Sequence, residues 1–353
     1  MRLWMTARLA AVGGVVAVCS LNAGCDHSEP FSFVPPPPDG SLSATSPLRL
    51  TYDPGSDDAA SFSDDGKFIV YTFDVPGRHD RDRCLGIMPA GGGARLFERC
   101  ETRVAYADSS DVYTSAALAA DGRLLYLRGT SRIGALLSPF PQLHYAPTAT
   151  APGRSVLALP VRVGNAIVSW LGDIQWTGTN SFLGIAGRLS LGTSRDTVFQ
   201  PFFLVRGTIN GSAASLEAIP GTDGVTSYGL SEDGSQILIA RNEESLELVP
   251  GTGGSSTPIA TVPALKDGDR IWGLGCTRNM CIVSARLVNV TPGATTLPST
   301  LYAAAITGGP LTYRAASPTA RWTGPRLSPL STDILVRARL GAARDLYLFR
   351  EQP

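Results

Sequence analysis

Hydrophobic and polar positions along this chain alternate in short bursts, not in helical stripes. The clearest burst runs from Ala59 to Phe73, a half-apolar run broken at Asp64-Asp65-Gly66 and resumed as the β-branched and aromatic run Phe68 to Phe73. That pattern predicts a strand, a tight turn and a strand. A two-residue hairpin needs positive φ, which Gly adopts freely and Asp tolerates, so Asp65-Gly66 is expected to make the turn. Beyond the N-terminus no long stretch carries helical periodicity.

Five later segments vary the same unit. Ser115 to Leu127 turns at Asp121-Gly122, with Gly122 lying 56 residues after Gly66, and Ser227 to Ile239 turns at Asp233-Gly234. Three copies are weaker: Asp173 to Ile185 puts Thr-Asn at the turn, Ile271 to Val283 puts Arg-Asn there, and Pro325 to Val336 turns near Thr-Asp. The segments between the hairpins recur as well. Cys84 to Pro89 leads through Gly91-Gly92-Gly93 to a further apolar run, Leu246 to Pro250 leads through Gly253-Gly254, and Leu301 to Ile306 leads through Gly308-Gly309. A period of about 45 to 58 residues with four strands in each period predicts propeller blades.

These residues resemble the TolB-type periplasmic propeller repeat, which reads Ser-Pro-Asp-Gly-Lys, an apolar strand, and Gly-Gly before the last strand. Asp65-Gly66-Lys67, Asp121-Gly122-Arg123 and Asp233-Gly234 carry the motif, although the usual Pro before the Asp is missing from all three. The resemblance covers residues 47–353 and implies an all-β fold, a six-bladed β-propeller. Seven blades is the alternative, because the intervals 129–170 and 184–227 have room for extra strands. The run Leu48 to Tyr52 resembles a fourth strand with nothing before it, and Asp345 to Phe349 a third with nothing after it. The two are expected to pair, so that the N-terminal strand closes the last blade and no sheet edge stays open.

Residues 1–24 read as an export signal: Arg2 and Arg8 precede an apolar run from about Leu9 to Leu21, too short to cross a bilayer comfortably. Leu21-Asn22-Ala23-Gly24-Cys25 resembles a bacterial lipobox, which implies Cys25 as a lipidated N-terminus; an ordinary secreted protein with Cys25 unmodified is the alternative. Asp26 resembles an inner-membrane retention signal in some bacteria, and inner and outer membranes both remain open. Residues 25–46, with Pro35-Pro36-Pro37-Pro38, predict an extended tether. The expected address is the bacterial cell envelope, with the chain lipid-anchored and facing the periplasm.

Composition narrows the partners. Among 353 residues, 38 Gly and 26 Pro spread through Val, Ile, Leu, Thr and Tyr favour many short strands. Without the signal the chain has 28 basic and 30 acidic residues, which argues against nucleic-acid binding. In an oxidising compartment Cys84 with Cys100, and Cys276 with Cys281, are expected to form local disulfides. Neither the charged loop from Gly77 to Arg83, with His79, Asp80 and Asp82, nor the pair Asp267 and Asp269 makes a convincing metal site, and no cofactor is expected. Trp170, Trp176, Trp272 and Trp322 lie near the starts of units, where they wedge neighbouring blades or line the channel.

No nucleophile elbow, phosphate loop or His-Glu-x-x-His is present. The expectation is a monomeric, non-catalytic scaffold for an envelope protein, peptide or polymer. A lactonase-like or sugar-dehydrogenase-like enzyme with its site at the channel mouth is the alternative.

Overall fold

The computed structural model describes residues 47–52, 55–74, 83–100, 109–132, 141–191, 197–262, 265, 268–286, 299–317, 320–340 and 343–350. Cys25, the signal, the proline-rich lead, the loop holding His79, and Asp267 lie outside the described residues. Every regular element described is a strand.

Each sequence unit folds as an antiparallel meander. The first runs through Asp57–Phe62, Phe68–Asp74, Arg83–Pro89 and Phe97–Arg99, and the second through Ser109–Leu118, Leu124–Arg132, Gln142–Ala146 and Arg154–Ala158. The third, fourth and fifth begin at Trp170–Trp176, Val225–Leu230 and Arg270–Thr277. The sixth contains Arg321–Leu327, Ile334–Leu340 and Ala343–Phe349, and its fourth strand is Leu48–Arg49, which pairs with Leu348 and Tyr347.

The inner strands run around a ring: five of the six junctions are side-by-side contacts, and the third and fourth strands meet where the Tyr228 hydroxyl donates to the Asp173 carbonyl at 2.7 Å. Asp57–Phe62 lies against Ser109–Leu118, and that against Trp170–Trp176; Val225–Leu230 lies against Arg270–Thr277, that against Arg321–Leu327, and the last returns to Asp57–Phe62. The fold is an all-β propeller. Glycines permit the close approach: a Cβ on Gly229 would stand 2.3 Å from Cys276 Sγ, and one on Gly275 2.3 Å from the Pro325 carbonyl oxygen.

The expectation of six separate blades needs correction. The third to sixth units each form a separate four-stranded sheet, but the first two share one eight-stranded sheet. They are joined by a single parallel pair, Arg83 with Val112. The cause is an edge left open: Phe97–Arg99 covers only Leu85 to Ile87, so the start of the strand Arg83–Pro89 is free to pair. The seven-bladed alternative is also set aside, because neither long interval holds another four-stranded sheet among the described residues. One contains the short hairpin Val161–Val163 and Ala166–Val168; the other is taken up by the long strands Ser181–Leu191 and Thr197–Asn210.

The Asp-Gly turns differ from the expected two-residue hairpin. Gly66, Gly122 and Gly234 take positive φ of 66°, 87° and 69°, but the Asp before each does not. In the first turn the Gly66 amide donates to the Ser63 carbonyl at 2.8 Å and Ser63 closes onto Phe68 at 2.9 Å, so the loop is longer. Asp65 contributes through its side chain, which accepts from the Ser63 hydroxyl at 2.7 Å and from the Lys67 amide at 3.3 Å. Ser231 and Asp233 repeat the arrangement. A two-residue turn with both φ values positive does occur, at Arg278 and Asn279 of the fifth unit.

The core lies between facing sheets. Second strands such as Phe68–Asp74 are buried along their length because both faces are covered, and Leu238, Leu274 and Val283 pack together between the fourth and fifth units. Each such side chain contributes about 1.5–3 kcal/mol on burial.

Candidate functional site

All six inner strands break register at the same height. The shifts fall between Asp58 and Ser61, Tyr113 and Ser115, Gly172 and Gln175, Val225 and Ser227, Ile271 and Gly273, and Thr323 and Arg326. A β-bulge bends its strand and re-aims side chains, so six at one level open the end of the channel. In the first, third and sixth units the bulge places Ala59, Asp173 and Gly324 at φ of 47°, 48° and 53°.

The bulges line a cavity of about 250 Å³. A second cavity of about 270 Å³, bounded by Arg321, Arg344 and Ala338, shares Trp272 and Arg337 with it. At the other end of the same strands the hairpin turns surround a wider cavity of about 450 Å³, with Asp64, Trp176, Glu232 and Arg278 on its walls.

Arginines dominate the bulge end. Asp58 is buried and takes ion pairs from Arg337, from Arg344 at 2.6 Å and from Arg83 at 3.7 Å; Arg83 also binds Asp74 at 3.1 Å. Burial alone would raise the Asp58 pKa, but the Arg337 charge, the Ala59 amide and Arg83 outweigh it and hold the carboxyl at about 2. Asp173 pairs with Arg326, whose guanidinium also donates to the carbonyls of Leu274 and Pro325 at 3.1 Å each. Beneath them the Tyr228 hydroxyl donates to the Asp173 carbonyl at 2.7 Å. The Arg321 guanidinium lies 3.5 Å from the Trp272 ring centre, a cation–π contact.

At the hairpin end acids and bases both line the cavity, Asp64 and Glu232 with Arg278 and Arg326. Partial burial lifts Asp64 to about 6, with repulsion from Asp121 and Asp65 adding to it and Arg123 opposing. The Ser235 amide and the Ser231 hydroxyl hold Asp233 at about 2.

The sequence-selected residues fall in several places. Asp65, Asp121 and Asp233 stand in the turns of the hairpin end. Cys84 is bonded to Cys100 and Cys276 to Cys281, with S–S distances of 2.06 and 2.02 Å. Glu98 lies beside the first pair, but sulfurs bonded to each other are not thiolate ligands for a metal. Trp170 and Trp272 line the bulge-end cavity, whereas Trp176 donates to the Ala117 carbonyl of the second unit at 3.1 Å and Trp322 packs edge-on to Phe349. His144 is buried and stacks on Tyr126 with ring centres 5.2 Å apart. Sequence reasoning missed Asp58 and its arginines. Asp58 directly precedes the inner strand's apolar run, and two of its partners, Arg337 and Arg344, are near the C-terminus, so only ring closure brings them together.

No family model and no curated protein matches the chain. Solved structures do. A gluconolactonase from Xanthomonas campestris matches with a TM-score of 0.52 at 12% identity over 87% of this chain and 89% of its own. The calcium-binding protein regucalcin from Agrobacterium tumefaciens matches with a TM-score of 0.51 at 12% identity, covering 87% of this chain and 91% of that one. A luciferin-regenerating enzyme reaches 0.54 at 8% identity, covering 86% and 94%. At such identities the likeness is one of fold: this chain is built as those proteins are.

Proposed function

We propose that the chain is a TolB-like, six-bladed propeller of a bacterial lipoprotein, held in the envelope through a lipidated Cys25 and facing the periplasm. In this reading the eight-stranded sheet counts as two blades, because one residue pair is all that joins its two meanders. The propeller acts as a non-catalytic scaffold that binds an envelope protein, peptide or polymer at a channel mouth.

One observation carries the binding reading: both carboxylates on the bulge-end cavity are bound by arginine. A carboxyl held at about 2 is a weak general base near neutral pH, so Asp58 is suited to holding cations in place and poorly suited to moving protons. The acyl chains of a bacterial lipoprotein, at about 0.8 kcal/mol per buried methylene, would keep the scaffold on its membrane.

The test is a crosslinked pull-down from the native envelope, compared with Cys25→Ala and read by mass spectrometry. A reproducible partner that depends on the anchor supports the reading. Lactonase or sugar-dehydrogenase turnover by the purified protein, lost in Asp173→Asn, would replace it with the enzyme reading.

A further inference from the structure

The bulge end has more hydrogen-bond donors than its own acids can use. Arg337 and Arg344 bring five N–H donors each, and the Asp58 carboxylate that both of them bind offers about four lone-pair positions. Among the residues that line the two cavities, Arg326, Arg337 and Arg344 stand against Asp58 and Asp173, and Arg321 lies at the edge of the second cavity. Asp58 is thus a built-in counter-ion that keeps the guanidiniums aimed at the mouth.

A second, independent observation points into the cavity. The Ser227 hydroxyl, the Thr114 hydroxyl and Arg326 Nε are all buried without a hydrogen-bond partner, and all three residues line the same cavity. Ser227 itself is 7% exposed. Buried polar groups are costly unless paired, and these come from the second, fourth and sixth units, so they converge from different sides.

From these two features we propose that the bulge-end mouth binds a small organic carboxylate. Its acid end lies on Arg337, Arg344 and Arg321, beside the Trp272 ring, and its polar body reaches the hydroxyls of Thr114 and Ser227 and the Nε–H of Arg326. Carboxylate and guanidinium are matched in shape, and paired charge-assisted bonds give both strength and orientation. The Trp272 face supplies an apolar wall for the carbon chain. This activity is separate from protein or polymer capture and can stand or fail without it.

The experiment titrates the intact mature protein with glutarate and with N-acetylglycine, followed by tryptophan fluorescence and by thermal melting. Glutaramide and N-acetylglycinamide are the neutral counterparts, and inorganic phosphate is the competing anion. Saturable binding of at least one acid at about 1 mM or tighter is expected, with the matching amide at least about tenfold weaker. Arg344→Gln should weaken the acid at least about tenfold. If that variant does not fold by circular dichroism, Arg321→Gln at the rim carries the same expectation.

Three results would overturn the proposal. They are no saturable response to either acid, amides that bind as well as acids, and phosphate that binds as well as the acids. The last would mean an unspecific cationic surface. The pull-down of the preceding section reads a different property, so either result leaves the other to be judged on its own.

Discussion

The two ends of the channel are made by the same six inner strands, yet they are built on opposite principles. At the bulge end the strands leave their register, and buried Asp58 and partly buried Asp173 are each locked to arginine. At the hairpin end the strands finish in turns whose carboxylates, such as Asp65 and Asp233, accept hydrogen bonds from residues two positions away. The first end depends on ion pairs across the ring, the second mainly on hydrogen bonds within each turn, with single bonds to the next turn such as the Asp64 amide to the Leu118 carbonyl at 3.0 Å. Mutations at the bulge end should therefore be felt by the whole ring, and those at the hairpin end mainly by one hairpin.

The largest expected effect is at Asp58. Replacing it with Ala leaves Arg337, Arg344 and Arg83 without their shared counter-ion. Breaking a fully buried pair costs about 3–5 kcal/mol, and the partial exposure of these arginines lowers that to about 2–4 kcal/mol. Urea unfolding measures it, and a loss below about 1 kcal/mol would show that the ion cluster does not hold the ring. Acid tests the same residue without mutation. Its folded pKa of about 2 lies below the ordinary 3.8, so its contribution is complete above 3.8 and is lost as pH falls through 2. That shift corresponds to about 2 kcal/mol, and Asp58→Ala should flatten this part of the stability profile.

A smaller effect is expected at Ser231. Its hydroxyl donates to Asp233 at 2.7 Å and accepts from the Gln236 amide at 3.0 Å, so Ser231→Ala should cost about 1 kcal/mol. The second unit has Ala119 at the equivalent position, where the Ala119 and Gly122 backbone bonds close the turn without a hydroxyl. Ala119→Ser should accordingly be neutral or stabilising by about 0.5 kcal/mol. A Ser231→Ala loss as large as that of Asp58→Ala would erase the distinction between the two ends.

The hairpins were the legible part of the chain because their signals are local. Strand alternation, Asp-Gly and the later Gly-Gly breaks fall within a few residues of one another and agree on one structure. The role of the Asp was misjudged even so: Gly alone takes positive φ, and Asp65 works by accepting from Ser63 and Lys67. Fusion of the first two units was not legible, since it depends on the reach of the three-residue strand Phe97–Arg99 along its neighbour. Least legible was the arginine cluster. Asp58 meets Arg337 and Arg344 across 279 and 286 residues of sequence, and the bulges that shape its cavity fall on Ala, Thr, Asp, Trp and Gly with no shared motif.

The smallest effect, and the finest test of the contrast, is at Asp64. Its carboxyl has a folded pKa of about 6 against an ordinary 3.8, raised by partial burial and by Asp121 and Asp65. For an acid shifted upward the sign is the reverse of that for Asp58. The folded protein holds the proton more tightly, so a cost is present above pH 6 and is relieved as pH falls from 6 towards 3.8. Because Asp64 keeps contact with solvent, screening makes this cost small, and Asn at this position should change stability at neutral pH by no more than about 0.5 kcal/mol. Thermal melts of the two proteins from about pH 7 to about pH 4 make the comparison: the native chain should gain on the variant as the medium becomes acidic. Parallel profiles would mean that Asp64 holds its proton no more tightly in the folded chain than in the unfolded one, and that neither its loss of solvent nor the neighbouring turn charges act on it.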